Sequence, residues 1–112
     1  MKKPKPAPYI KVSEDFISSY SKLSENTYLC QAIESCKEQL KKDVCAGRKI
    51  ARKKFPKEYV RKYGLTNLWK LNLPLGYRLT YTIIAEESLQ IPVILEVLDH
   101  KKYNQRFGYR SD

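Results

Sequence analysis

The sequence predicts an α+β domain in which two N-terminal helices pack on a twisted, mainly antiparallel sheet. Three observations predict it. Apolar residues recur every three or four positions between Phe16 and Val44, the period of helices with one buried face. They alternate with polar residues from Leu68 to Leu73 and again from Tyr77 to Ile83, the period of a strand. Val93 to Leu98 is a nearly continuous apolar run, as expected of a strand covered on both faces. A chain of 112 residues is one small domain, and one sheet with one or two helices against it uses up the apolar residues.

Taken in order, Lys2 to Pro8 mixes lysine with proline and alanine, which favours an extended, solvated arm outside the core. Residues 1–8 are therefore read as a flexible basic arm and residues 9–112 as the single domain. Tyr9 to Val12 reads as a short strand. Ser13 follows as an N-cap, with Glu14 and Asp15 matching the positive end of a helix whose buried stripe is Phe16, Ile17, Tyr20 and Leu23. Ser24 to Ala46 is a longer helix marked by Leu29, Ile33, Cys36, Leu40 and Val44, with Gly47 placed to end it. Its other face carries Glu34 with Lys37, and Glu38 with Lys41 or Lys42, at ion-pair spacing.

Arg48, Lys49, Arg52, Lys53 and Lys54 form the densest positive run in the chain. Two readings are open for it: phosphate contacts that give affinity without choosing a sequence, or a solvated loop. Pro56 opens a short helix through Tyr63, and Gly64 closes it. In Leu68 to Leu73, Trp69, Leu71 and Leu73 share one face and Lys70 and Asn72 the other, wet one. Pro74-Leu75-Gly76 is a turn, after which Tyr77, Leu79, Tyr81 and Ile83 continue the apolar face and Arg78, Thr80 and Thr82 the polar one. Pairing Leu73 with Tyr77 sets Asn72 opposite Arg78, with Lys70 diagonal to it. Glu86-Glu87-Ser88 turns the chain again, Pro92 is confined to the entry of the last strand, and the exit of that strand brings His100 towards Arg78.

The formal charge of +10, from 22 Lys and Arg against 12 Asp and Glu, predicts a polyanionic partner: RNA, DNA, an acidic membrane surface or an acidic protein. A merely soluble basic surface is the plain alternative. Cys30, Cys36 and Cys45 are odd in number and lack C-x-x-C spacing, which argues against a zinc site or a disulfide framework and for a reducing cytosol. No run approaches the ~18 apolar residues of a membrane span, and Met1 to Pro8 lacks the apolar core of a signal peptide, so a cytoplasmic protein without a membrane partner is expected. The only histidine, several cations and several aromatics gather in His100 to Tyr109. Basic and imidazole groups at a sheet end, with no acidic cluster to hold a metal, suit work on a phosphodiester.

Leu68-Trp69-Lys70-Leu71-Asn72-Leu73, then Gly76-Tyr77-Arg78-Leu79-Thr80-Tyr81-Thr82-Ile83-Ile84, then Ile94-Leu95-Glu96-Val97-Leu98-Asp99-His100-Lys101-Lys102-Tyr103, resemble the RelE/ParE superfamily of small toxins from bacterial and archaeal toxin–antitoxin pairs. The order of strand, two helices and three-stranded meander fits the same family. The resemblance implies an mRNA interferase: a ribosome-dependent endoribonuclease that acts on mRNA without a metal or other cofactor and is neutralised by an acidic antitoxin. In such enzymes the ribose 2′-hydroxyl attacks the adjacent phosphate, so the protein takes one proton, gives one, and stabilises charge on the phosphate. The resemblance makes Arg78 the ligand of the scissile phosphate, Lys70 a neighbouring cation for electrostatic help or proton removal, and His100 the acid–base group, imidazole being the side chain suited to proton transfer at neutral pH. With these go an RNA-binding set of Arg48, Lys49, Arg52, Lys53, Lys54, Asn72, Lys101, Tyr103, Arg106 and Tyr109, in which Tyr103 and Tyr109, with Phe107, either stack on a base or pack the C-terminal segment onto the sheet. Arg78 has a structural alternative, an ion pair with Glu96. Asn72 departs from the family by standing where some of its nucleases have a second lysine, and the tail after His100 is longer and more aromatic. Other members of the superfamily poison DNA gyrase without cutting RNA, so a non-catalytic protein that inhibits gyrase or binds RNA is the alternative function.

Overall fold

The computed structural model describes residues 3–109; the expectation of an arm at Met1 and Lys2 lies outside the described residues. Strands β1 (Lys11–Val12), β2 (Arg48–Lys49), β3 (Trp69–Asn72), β4 (Arg78–Glu86) and β5 (Leu89–Leu98) form one sheet in the order β1-β5-β4-β3-β2. Only the β1–β5 pair is parallel. Four helices pack on it: α1 (Glu14–Ser21), α2 (Thr27–Lys42), α3 (Lys57–Tyr63) and α4 (His100–Phe107). The α+β class and the two N-terminal helices on a mainly antiparallel sheet are as the sequence predicts.

Apolar side chains fill both faces of the sheet. Phe16 of α1 and Leu29, Ile33, Cys36 and Leu40 of α2 meet Leu79, Tyr81, Ile94 and Val97 on one face. Tyr59 of α3 and Tyr103 and Phe107 of α4 meet Ile50, Leu68, Leu95 and Leu98 on the other. The second layer corrects the expectation of a polar outer face on β4, since Thr80 and Thr82 are buried. The hydroxyl of Tyr59 lies 2.9 Å from Thr80 Oγ1 and donates to Glu96 Oε1 at 2.7 Å, so Thr80 and Glu96 find partners within the fold. A bulge makes this possible: Thr80 faces Glu96 while Tyr81 faces Ile94, and the extra residue puts Leu95 and Glu96 side by side towards α3 and α4.

Local chemistry accounts for most of the element ends. The Ser13 hydroxyl accepts from Phe16 N at 3.0 Å and Asn26 Oδ1 from Leu29 N at 3.0 Å, capping α1 and α2. Gly64, with φ of 57°, ends α3 as expected. Four expectations need correction. Ile17 is 57% exposed, because Phe16, Tyr20 and Leu23 already fill the one face of α1 that meets the core. Helix α2 stops at Lys42, where Asp43 turns extended, so Gly47 is not its cap. Gly47 instead lies against β3 and β4, where a Cβ would sit 2.6 Å from the Lys70 carbonyl oxygen and 2.9 Å from the Tyr81 ring. Pro92 lies within β5 opposite Ile83, one residue before β1 joins at Val93.

The arm is the fourth correction. In Lys3-Pro4-Lys5-Pro6-Ala7-Pro8 the prolines carry no N–H, and the amides of Lys5 and Ala7 both find partners at the end of α2. Ala7 N donates to the Lys41 carbonyl at 2.7 Å and Lys5 N to Asp43 Oδ1 at 3.2 Å, while the Lys5 carbonyl accepts from Val44 N at 2.8 Å. Ala7 is buried, so this part of the arm belongs to the domain. It satisfies backbone groups that the helix end leaves open.

Candidate functional site

The β3–β4 hairpin has the register the sequence predicts: Leu73 N donates to the Tyr77 carbonyl at 2.8 Å, Asn72 faces Arg78, and Lys70 faces Thr80. Lys70 and Arg78 therefore project on one side of the sheet, the side that α4 covers. There the Tyr103 ring lies beneath both. Lys70 Nζ is 5.4 Å from the ring centroid and the Arg78 guanidinium carbon 5.6 Å. Strand β2 adds Arg48, directly opposite Lys70, at the edge of the sheet.

Among the described residues no carboxylate forms an ion pair with Lys70, Arg78, Arg48 or Lys54. Burial, and then the charges of Arg78, Arg48 and Lys54, push the Lys70 ammonium below the usual lysine range. Arg78 does not pair with Glu96. Its Nη1 donates to the Gly76 carbonyl at 2.8 Å and the Tyr77 carbonyl at 3.3 Å, and its Nε–H is buried without a partner among the described residues. An arginine braced on its own turn and left without a carboxylate keeps positive charge available for an anion. A small groove of about 190 Å³ at the β2–β3 edge is bounded by Gly47, Arg48, Lys70 and Asn72.

His100 opens α4 directly after the Asp99 cap, whose side chain accepts from Lys102 N at 2.7 Å. It stands over the hairpin turn that holds Arg78, so that a Cβ on Gly76 would lie 3.6 Å from His100 Cβ. The imidazole is exposed, and its Nε2 lies 3.2 Å from Nδ2 of Asn104 one helical turn on.

The rest of the expected site divides in two. Asn72, Lys101, Lys49, Lys53 and Lys54 are exposed, and Arg52 donates only to the Thr66 carbonyl at 3.4 Å. Of these, Asn72 and Lys54 lie nearest the pair over Tyr103: Asn72 is opposite Arg78, and the charge of Lys54 is felt at Lys70. Arg106 is turned inward instead. Its Nε and Nη2 grip Glu96 at 3.1 and 3.0 Å and its Nη1 reaches Glu58 at 2.6 Å, which ties α4 to β5 and α3 and removes Arg106 from the RNA-binding set. Tyr103 and Phe107 are core, their rings stacked at 4.3 Å. Of the three C-terminal aromatics, Tyr109 alone, 40% exposed and stacked on Phe107 at 6.1 Å, offers a ring at the surface.

The largest part the sequence reading missed is α4 itself, and with it Asn104. The signals were present: Asp99 as N-cap, Tyr103 and Phe107 four apart, and Gly108 in the left-handed region at φ of 73°. Among the described residues no three of His, Cys, Asp and Glu gather as a metal-ligand group, and no helix is long and apolar enough to cross a membrane. A larger cleft, about 660 Å³, lies between α1 and α4, but its Asp15, Glu58, Glu96 and Asp99 offset Lys22, Lys102 and Arg106, whereas no carboxylate lines the groove beside Lys70. No protein-family model, curated protein or solved structure matches the chain.

Proposed function

We propose that the chain is a RelE-like toxin, a metal-independent endoribonuclease that cuts mRNA on the ribosome and is held inactive by an acidic antitoxin. The observation that carries this reading is the convergence of Lys70 and Arg78 over the Tyr103 ring without a carboxylate partner, beside a turn that also carries His100. In this reading the Arg78 fork and the Lys70 ammonium hold the scissile phosphate and stabilise the charge that grows on it. Lys70 acts from its neutral amine, a form that burial and neighbouring cations make more accessible: the amine takes the 2′-hydroxyl proton, and the ammonium so formed then serves the phosphate. His100 protonates the leaving 5′ oxygen. Arg48 and Lys54 draw in the backbone, and Tyr109 offers its face to a base. The antitoxin is an acidic chain because a surface of net charge +10 recruits one electrostatically.

One observation favours a second reading, an RNA-binding protein of the same fold that does not cut: Arg78 already uses Nη1 on the Gly76 and Tyr77 carbonyls. The two differ in how variants divide binding from cutting. For the nuclease, Arg78→Ala lowers cleavage by at least about 10²-fold and RNA affinity by no more than about tenfold, the loss of one charge-assisted contact. For the binder, Arg48→Glu with Lys54→Glu removes affinity, and no cleavage is seen in any variant. Cleavage and filter binding measured on the same preparations separate them.

A further inference from the structure

Asn104 is a buried side-chain amide in a helix whose neighbours Tyr103 and Phe107 are aromatic core, and its Nδ2 makes one side-chain contact among the described residues, to Nε2 of His100 at 3.2 Å. A polar side chain is buried at a cost unless it has a partner, so the amide and the imidazole fix each other. The spacing of four residues stacks them along one face of α4, and the Asp99 cap and, from another face, the Arg106 grip on Glu96 anchor the helix. Among the described residues Nδ1 of the ring has no hydrogen-bond partner, and Nε2 has the one.

We propose that Asn104 is the positioning residue for His100: its amide occupies ring Nε2 and leaves Nδ1 as the nitrogen that exchanges a proton. An amide has a donor end and an acceptor end, so it serves the ring in either protonation state. Its N–H donates to Nε2 of a neutral ring. Turned over, its Oδ1 accepts the Nε2–H of a charged one. The consequence for the reaction rests on the function proposed above. The charged ring gives the Nδ1 proton to the leaving 5′ oxygen as the P–O5′ bond breaks; the N–H electron pair stays on Nδ1, and the remaining ring proton stays on Nε2 against Asn104 Oδ1.

The test has two arms that fail separately. His100 is the only histidine of the chain, so a spectrum of ¹⁵N-labelled imidazole reports on this ring alone. Asn104→Leu keeps the side-chain volume and removes the partner. It is expected to move the Nε2 resonance more than Nδ1 while the backbone amide spectrum away from α4 stays in place. In cleavage assays it is expected to lower kcat about tenfold with KM unchanged, since a positioned acid contributes roughly 10²–10⁴-fold and only its aim is lost. In a His100→Ala background the same substitution is expected to cost nothing further, because a residue that acts through the ring has no effect without it. An Nε2 resonance that does not move, or an equal loss of kcat with and without the imidazole, overturns the proposal. Absence of cleavage by the intact protein overturns the nuclease reading instead, and the spectra still decide whether Asn104 holds the ring.

Discussion

At the residue scale the strongest constraint falls on Lys70, whose ammonium shares the Tyr103 ring with Arg78 and faces Arg48 across the strand pair. Burial and these charges lower its pKa, so the charged form is less favourable in the fold than in the unfolded chain. The sign follows: at neutral pH the lysine is charged and costs stability, and that cost fades as pH rises through the lowered value towards ~10.4. Lys70→Met is therefore expected to raise the unfolding midpoint at neutral pH while weakening RNA about tenfold, the loss of one charge-assisted contact of roughly 1.5 kcal/mol. Denaturant melts and binding titrations on the same variant check both halves. Gly47 is constrained by space instead. A methyl there meets the Lys70 carbonyl at 2.6 Å, so Gly47→Ala is expected to destabilise by about 1–3 kcal/mol in a denaturant melt and to disturb the strand that carries Lys70.

Helices α3 and α4 decide at the element scale where the site forms, and they are joined by charge. Asp15 of α1 binds Lys62 and Tyr63 of α3, and these partners hold its carboxyl below the usual range. A depressed carboxylate stabilises the fold above its unfolded pKa near ~3.9 and loses that contribution as pH falls through the lower folded value. The stability gap between the intact protein and Asp15→Asn is expected to be full at neutral pH and to close as pH falls below ~3.9, measured by urea melts across that range. The elements also differ in how far the sequence revealed them. The hairpin was legible to the residue, because a period of two fixes which side chains share a face and the Pro74-Leu75-Gly76 turn fixes the register. Helix α3 was legible from Pro56 and Gly64. Helix α4 was not, because its eight residues include two lysines, an arginine and a histidine, and only Tyr103 and Phe107 mark a buried face. Without α4 the covered second face of the sheet, the inward turn of Arg106 and the place of Asn104 could not be read. The bulge at Leu95 is likewise invisible in a run of apolar residues where any register looks alike.

For the whole molecule, the charge of +10 sets how strongly a polyanion is attracted, and the geometry concentrates the effect where Arg48, Lys54, Lys70 and Arg78 stand without an ion pair among the described residues. If these four cations each neutralise one phosphate of single-stranded RNA, the log–log salt dependence of affinity has a slope of about −3, at roughly −0.7 per contact, and Lys70→Met flattens it by about that increment. Affinity measured between low and physiological salt checks this. A slope near zero would mean that the cations do not bind the backbone.

The central claim is that the Lys70–Arg78 pair over Tyr103 is a site for breaking a phosphodiester, and not only for holding one. The most direct measurement is cleavage of a messenger positioned in the ribosomal A site, with chelator present, by the intact protein and by Arg78→Ala. The account predicts chelator-resistant cutting that falls by at least about 10²-fold in the variant, as loss of a transition-state charge donor does. No cutting by the folded intact protein, or cutting that survives Arg78→Ala unchanged, would contradict it.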